Sequence, residues 1–221
     1  MATISADTFK FLKDLAKNNN KEWFTANKKR YEEAKGDFEA FVTDLIKQIA
    51  KFDPAIGNLE AKKCIFRIYK DIRFSKDKTP YKINMGANFS ASPSKIHDMA
   101  GYYIHVEPGK SFLAGGAYMP QSPWINNIRQ EIDYNTKEFK KIINAASFTK
   151  NFKELQGEKL KTAPKGFPKD HPELSLLQYK SFLMMHNCDD KLVQSDGYMK
   201  HVTDVYKTMK PLNDFLNRAA D

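Results

Sequence analysis

Apolar positions recur at steps of three and four through the first fifty-odd residues, then at steps of two from Lys62 onward. Phe11, Leu12 and Leu15 form one stripe, which predicts a helix capped by Asp7 and stopped at Asn18-Asn19-Asn20. Asn20 caps a short second turn that carries Trp23 and Phe24 toward the core. From Asn27 the positions Tyr31, Ala34, Phe38, Phe41, Val42, Leu45, Ile49 and Phe52 keep the helical step, so a long helix is expected, ended by Asp53-Pro54. The period of two then predicts strands from Arg67 toward Phe74, from Tyr81 to Phe89, from Gly101 to Glu107 and from Lys110 to Tyr118. Pro108-Gly109 marks a hairpin turn, and Gly115-Gly116 a bulge or a close backbone approach.

Helical steps return after Ser122-Pro123, with Trp124, Ile125, Ile128 and Ile132, and again after a cap at Thr136, with Phe139, Ile142 and Ile143. A third short helix fits residues 148–155. Residues 157–172, rich in Pro, Gly and Lys, read as an exposed loop. A strand over 181–187 and a final helix capped by Ser195 or Asp196, with Pro211 inside it, complete the chain. Consecutive strands with short links imply antiparallel pairing. The expected fold is α+β: a mostly antiparallel sheet of about five strands with helices packed mainly on one face. Residues 1–221 are expected to form a single domain, with N-terminal helices in 7–52, the sheet in 62–118, helices in 122–155, and a strand and final helix in 181–217.

Composition narrows the function classes. The net charge of +9 comes from 36 Lys and Arg against 27 Asp and Glu, and the cations are scattered rather than gathered in a tail. Such a surface permits weak binding to anions without specifying it. No stretch is long and apolar enough for a membrane span and no signal peptide is visible, so a cytoplasmic location with no membrane partner is expected. Cys64 and Cys188 are far apart and are expected to be free thiols. The five histidines lack metal-ligand spacing, no phosphate-binding glycine loop is present, and neither metal nor cofactor is expected. Ser75-Lys76-Asp77-Lys78 fits the Ser-x-x-Lys pattern of penicillin-binding enzymes, but the Lys-Thr-Gly that should accompany it is missing.

The stretch Arg67 to Lys82 concentrates what chemistry remains. Only five arginines occur in the chain, and Arg67 and Arg73 share one face of the predicted strand with Tyr69 and Asp71. Phe66, Ile68, Ile72 and Phe74 share the other, apolar face. A guanidinium grips carboxylate or phosphate through two parallel bonds, which an ammonium cannot do. With Lys76, Lys78 and Lys82 in the following turn, these residues are candidates for an anion-binding patch, taking a phosphate-bearing small molecule or nucleic acid. Two alternatives stand beside it. One is an enzyme acting on a phosphorylated or carboxylate substrate, with Asp71, Asp77, Tyr81 or His105 moving protons; the other is an interaction module with no small ligand. A closed ladder, in which Asp71 and another carboxylate such as Glu107 neutralise the arginines, is the purely structural account of the same residues.

Asn19 through Phe24, Asn27, Tyr31, Arg67 through Lys82, Gly101-Tyr102-Tyr103, Gly115-Gly116, Pro120 and Ile128-Arg129 together resemble domain-of-unknown-function family 2461. The run Arg-x-x-x-Asp-x-Arg-Phe-Ser-Lys-Asp-Lys-Thr-Pro-Tyr-Lys is the most specific part, and Lys21 departs from the arginine expected there. The resemblance covers about Phe9 to Leu216. It implies a cytoplasmic protein and no established activity; the oligomeric state is left open.

Overall fold

Helix α1 (Ala6–Lys17) starts where the Ser5 side chain accepts the Thr8 N–H, so Ser5 and not Asp7 is the cap. A short α2 (Lys21–Ala26) is capped as expected by Asn20, which accepts the Trp23 N–H. The long α3 (Lys28–Ala50) buries Phe38, Phe41, Val42, Leu45 and Ile49, the stripe read from the sequence. A 3-10 turn (Pro54–Ile56) and a short α4 (Ala61–Cys64) follow. The strands are β1 (Met85–Phe89), β2 (Gly101–Val106), β3 (Ser111–Ala117) and β4 (Phe182–Cys188), with α5 (Ser122–Tyr134), α6 (Thr136–Ile143), α7 (Ala146–Phe152) and α8 (Leu174–Leu177) between β3 and β4. The chain closes with α9 (Asp190–Val193) and α10 (Tyr198–Arg218). These elements come from a computed structural model that describes residues 2–73, 75–91 and 97–220.

The protein is α+β, and its described residues form a single antiparallel sheet of four strands in the order β1-β2-β3-β4. Four strands replace the expected five because residues 65–73 never form a regular strand. Their only bridges to the returning chain are Ile65 to Ala87 and Tyr69 to Tyr81. Four residues separate the first members of these bridges and six separate the second, so the return is two residues longer and the ladder breaks between them. Of the apolar face expected for this segment, Ile68 is buried, Ile72 half-buried and Phe66 exposed; Phe74 lies outside the described residues.

The chain divides into two compact units. Unit one holds Met1–Phe89, Tyr103–Leu113 and Asn187–Thr203; unit two holds Ser90–Tyr102, Ala114–His186 and Asp204–Asp221. In unit one, Phe41 of α3 stacks on Tyr198 at 5.5 Å, and both rings are buried. Burying each such ring stabilises the fold by about 1.5–3 kcal/mol. In unit two, Asn213 of α10 donates to the Gly101 carbonyl, and Tyr206 packs on Tyr102 at 5.0 Å. There Gly115 and Gly116 meet the expectation of close approach. A Cβ on Gly116, at φ +109°, would sit 2.0 Å from the Phe182 carbonyl oxygen.

Two caps differ from expectation. Thr136 is the first residue of α6 and donates back to the Ile132 carbonyl, since a hydroxyl just inside a helix finds the preceding turn. Residues 157–172 are not all free loop, because Lys159 bridges to Tyr179 and the Leu160 N–H donates to the Gln178 carbonyl.

Candidate functional site

The Arg67 region and the inner residues of β2 and β3 belong to unit one. Phe66 N–H donates to the Gly86 carbonyl, Lys82 N–H to that of Ile68, and Lys70 N–H to that of Pro80. These three bonds hold the out-and-back segment without making it a strand. Its root is gripped by Asn19, whose amide donates to the Tyr81 carbonyl at 2.9 Å and accepts the Tyr81 N–H at 3.1 Å. Phe24 stacks on the Tyr81 ring at 3.9 Å and 13°. Tyr81, read from sequence as a proton-transfer candidate, is thus buried, and that burial raises its phenol above the usual value. Phe24 is the buried aromatic of α2, while Trp23 is only half-buried and faces Phe11.

The residues expected to share one charged face have different surroundings. Asp71 Oδ1 accepts the Arg73 N–H and Nε at 3.2 and 3.0 Å, and Oδ2 accepts Nη2 at 2.7 Å. The Arg73 fork is therefore closed on a carboxylate two residues away, and Asp71 is held below the usual carboxylate value by these bonds. Asp77 accepts from Lys70 and from the Thr79 N–H and hydroxyl, which push its carboxyl down strongly. Lys78 Nζ donates to the Ile72 carbonyl at 2.9 Å. Lys76 is exposed on the same turn. Asp71, Asp77, Lys70 and Lys78 thus tie the turn together.

Arg67 and Lys82 lie near enough for the charge of one to act on the other. Arg67 lines a cavity of about 370 Å³ with Tyr31, Lys35, Phe38, Lys62, Phe66 and Tyr69 among its walls. The guanidinium makes no hydrogen bond or ion pair with any other described residue, and the carboxylate that feels its charge, Asp71, is committed to Arg73. Lys82 is half-buried with Nζ 5.4 Å from the Phe66 ring centroid. Burial, and then the charge of Arg67, lower its ammonium below the ordinary lysine value. The cavity's other cations have partners: Lys62 lies 3.8 Å from Glu39, and Lys35 lies 4.0 Å from Glu32.

His105, the fourth proton-transfer candidate, sits on β2 between two further groups. Its Nδ1 is 3.0 Å from the Tyr103 hydroxyl, and its Nε2 is 2.9 Å from Glu107 Oε2. Its ring stacks on Phe112 at 4.5 Å and 14°. Glu107 is thus engaged by His105 and, among the described residues, by no arginine. Sequence reading places Tyr103 and His105 on one strand face but does not connect Glu107 to them, although the same step of two puts it there. Lys35 and Lys62 were also missed, because only the folded chain brings α3 and α4 beside Arg67.

Among the described residues, Arg67 thus has no hydrogen-bond or ion-pair partner beside a cavity whose walls are largely apolar. The chain belongs to the family of conserved hypothetical proteins designated DUF2461, whose profile matches residues 7–215. Neither a curated protein nor a solved structure matches it. Among the described residues, no helix is long and apolar enough to cross a membrane.

Proposed function

We propose that the protein binds a small phosphate-bearing ligand, with the anion held by Arg67 and Lys82 and the remainder lodged against Tyr31, Phe38, Phe66 and Tyr69. The observation that carries this reading is Arg67, which lines a largely apolar cavity without a hydrogen-bond or ion-pair partner among the described residues and lies near enough to the half-buried Lys82 for its charge to act on that ammonium. Like charges brought together cost free energy, and an anion between them removes that cost. The guanidinium supplies a planar fork for two phosphate oxygens, and the ammonium supplies a point charge. A cavity of about 370 Å³ accepts a small molecule, near the lower end of ligand pockets in general. The proposed site takes Arg67 and Lys82 from the expected patch, since Arg73 and Lys78 are held by internal bonds and Lys76 is exposed on the turn. A cytoplasmic location belongs to the same proposal.

Thermal unfolding in phosphate tests it. Phosphate at a hundred times its dissociation constant should stabilise the chain by about 2.7 kcal/mol, beyond a chloride control of equal ionic strength. Arg67→Lys keeps the charge and loses the fork, so most of the excess should disappear, whereas Arg73→Lys should retain it. Equal behaviour of phosphate and chloride on the wild-type chain refutes the site.

A further inference from the structure

Glu107, just past the end of β2, and His105 and Tyr103 on one face of that strand form a continuous hydrogen-bonded chain. The imidazole and carboxylate are mostly covered, at 12% and 14% side-chain exposure. An ionised carboxylate only accepts, so the His105 proton belongs on Nε2, facing Glu107. Nδ1 of that tautomer is an acceptor, and the Tyr103 hydroxyl donates to it. Phe112 fixes the plane of the imidazole by stacking. Across from it, Gly86 makes room for the phenol: a Cβ at Gly86 would stand 2.6 Å from the Tyr103 oxygen. The Tyr103 ring lies 6.0 Å from the ring of Phe66, the residue over which Lys82 places its ammonium. A carboxylate that orients a histidine, which in turn faces a hydroxyl, is the arrangement by which a weak nucleophile is activated.

We propose that Tyr103 is a nucleophile that takes the phosphoryl group of a phosphate monoester. The choice of a phosphate ester rests on the anion reading above; the activating chain is independent of it. In the step, the Tyr103 oxygen attacks phosphorus and its proton passes to His105 Nδ1. The ester P–O bond breaks, and the alcohol leaves with the proton returned by His105. Water then cleaves the phosphotyrosine, giving inorganic phosphate and the free phenol. Glu107 is a positioning residue, which holds the tautomer and steadies the imidazolium that forms.

The full chain is incubated with p-nitrophenyl phosphate, following p-nitrophenolate release and, by peptide mass spectrometry, phosphate on Tyr103. The wild type should release p-nitrophenolate, and Tyr103→Phe should reduce the rate at least on the order of a hundredfold while its melting curve shows it folded. Glu107→Gln should lower kcat with KM nearly unchanged, and Arg67→Gln should raise KM. No release by the wild type, equal release by Tyr103→Phe, or turnover of p-nitrophenyl acetate alone overturns the proposal. Phosphate stabilisation measured on the same samples separates the two readings. Stabilisation without Tyr103-dependent release removes the transfer step and leaves the anion site; Tyr103-dependent release without stabilisation does the reverse.

Discussion

Arg67 and Arg73 are the same residue type on the same expected strand face, yet only one keeps its guanidinium uncommitted. The difference lies in Asp71, which accepts the N–H two residues on, a local turn that competes with strand pairing. That turn swings the Arg73 fork onto the same carboxylate. Asp71→Ala should therefore release Arg73 and leave the melting temperature almost unchanged, because the pair is exposed. A large drop in a thermal melt would show that the pair supports the fold. The two cysteines make a second prediction at this scale. Burial raises each thiol to about 11 from an ordinary value of 9.0. Between those values the unfolded chain binds fewer protons than the folded one, so stability falls as pH rises through that window and is fully present below it. Wild type and Cys64→Ala should then differ in their pH–stability curves above pH 9 and run parallel below it. Curves parallel throughout would show that the thiol titrates as freely in the folded chain as in the unfolded one. At pH 8 both thiols should resist a disulfide reagent until the protein is unfolded.

Elements whose signal is local were legible in the sequence. The α3 stripe and the alternation along β2, with Tyr102, Ile104 and Val106 buried and Tyr103 and His105 partly exposed, follow from residue spacing alone. The pairing of 65–69 with 81–87 was not legible, because the mismatch of two residues is a property of both partners together. Nor was the Asn19 clamp, whose two bonds reach across 62 residues of chain. The cavity at Arg67 depends on the same irregularity, since a regular strand would have continued past it. Asn19→Ala leaves two backbone groups of the buried Tyr81 without these partners and should cost about 1–3 kcal/mol, loosening the Arg67–Lys82 segment. Phe24→Ala should cost about 3–5 kcal/mol by removing the buried ring stacked on Tyr81. Denaturant unfolding measures both, and a loss from Trp23→Ala as large as that from Phe24→Ala would contradict the assignment of Phe24 as the anchor.

Over the molecule as a whole, the excess of nine positive charges favours any polyanion, and the question is whether that field or the Arg67 cavity selects the ligand. Many of the lysines stand beside acids: Lys47 at Asp44, Lys63 at Glu60, Lys140 at Glu173 and Lys210 at Asp214. Such pairs blunt the field locally. Nucleic-acid binding driven by net charge weakens steeply with salt, because each neutralised phosphate releases a counterion. It also depends on the number of cations more than on the position of any one. Binding at Arg67 and Lys82 depends on two named groups, one of them half-buried and less screened. A mixed-sequence single-stranded oligonucleotide should therefore bind at about 10⁻⁴ M or weaker near physiological salt, the weak end of non-specific affinity. Arg67→Gln should leave that binding within about twofold, as expected for one phosphate contact among several. The same substitution should abolish stabilisation by inorganic phosphate. Filter binding of the oligonucleotide across a salt series, with thermal shifts in phosphate alongside, decides between them. If Arg67→Gln weakens the oligonucleotide as much as it weakens phosphate, the cavity serves a nucleic-acid chain, and the small-ligand reading gives way to it.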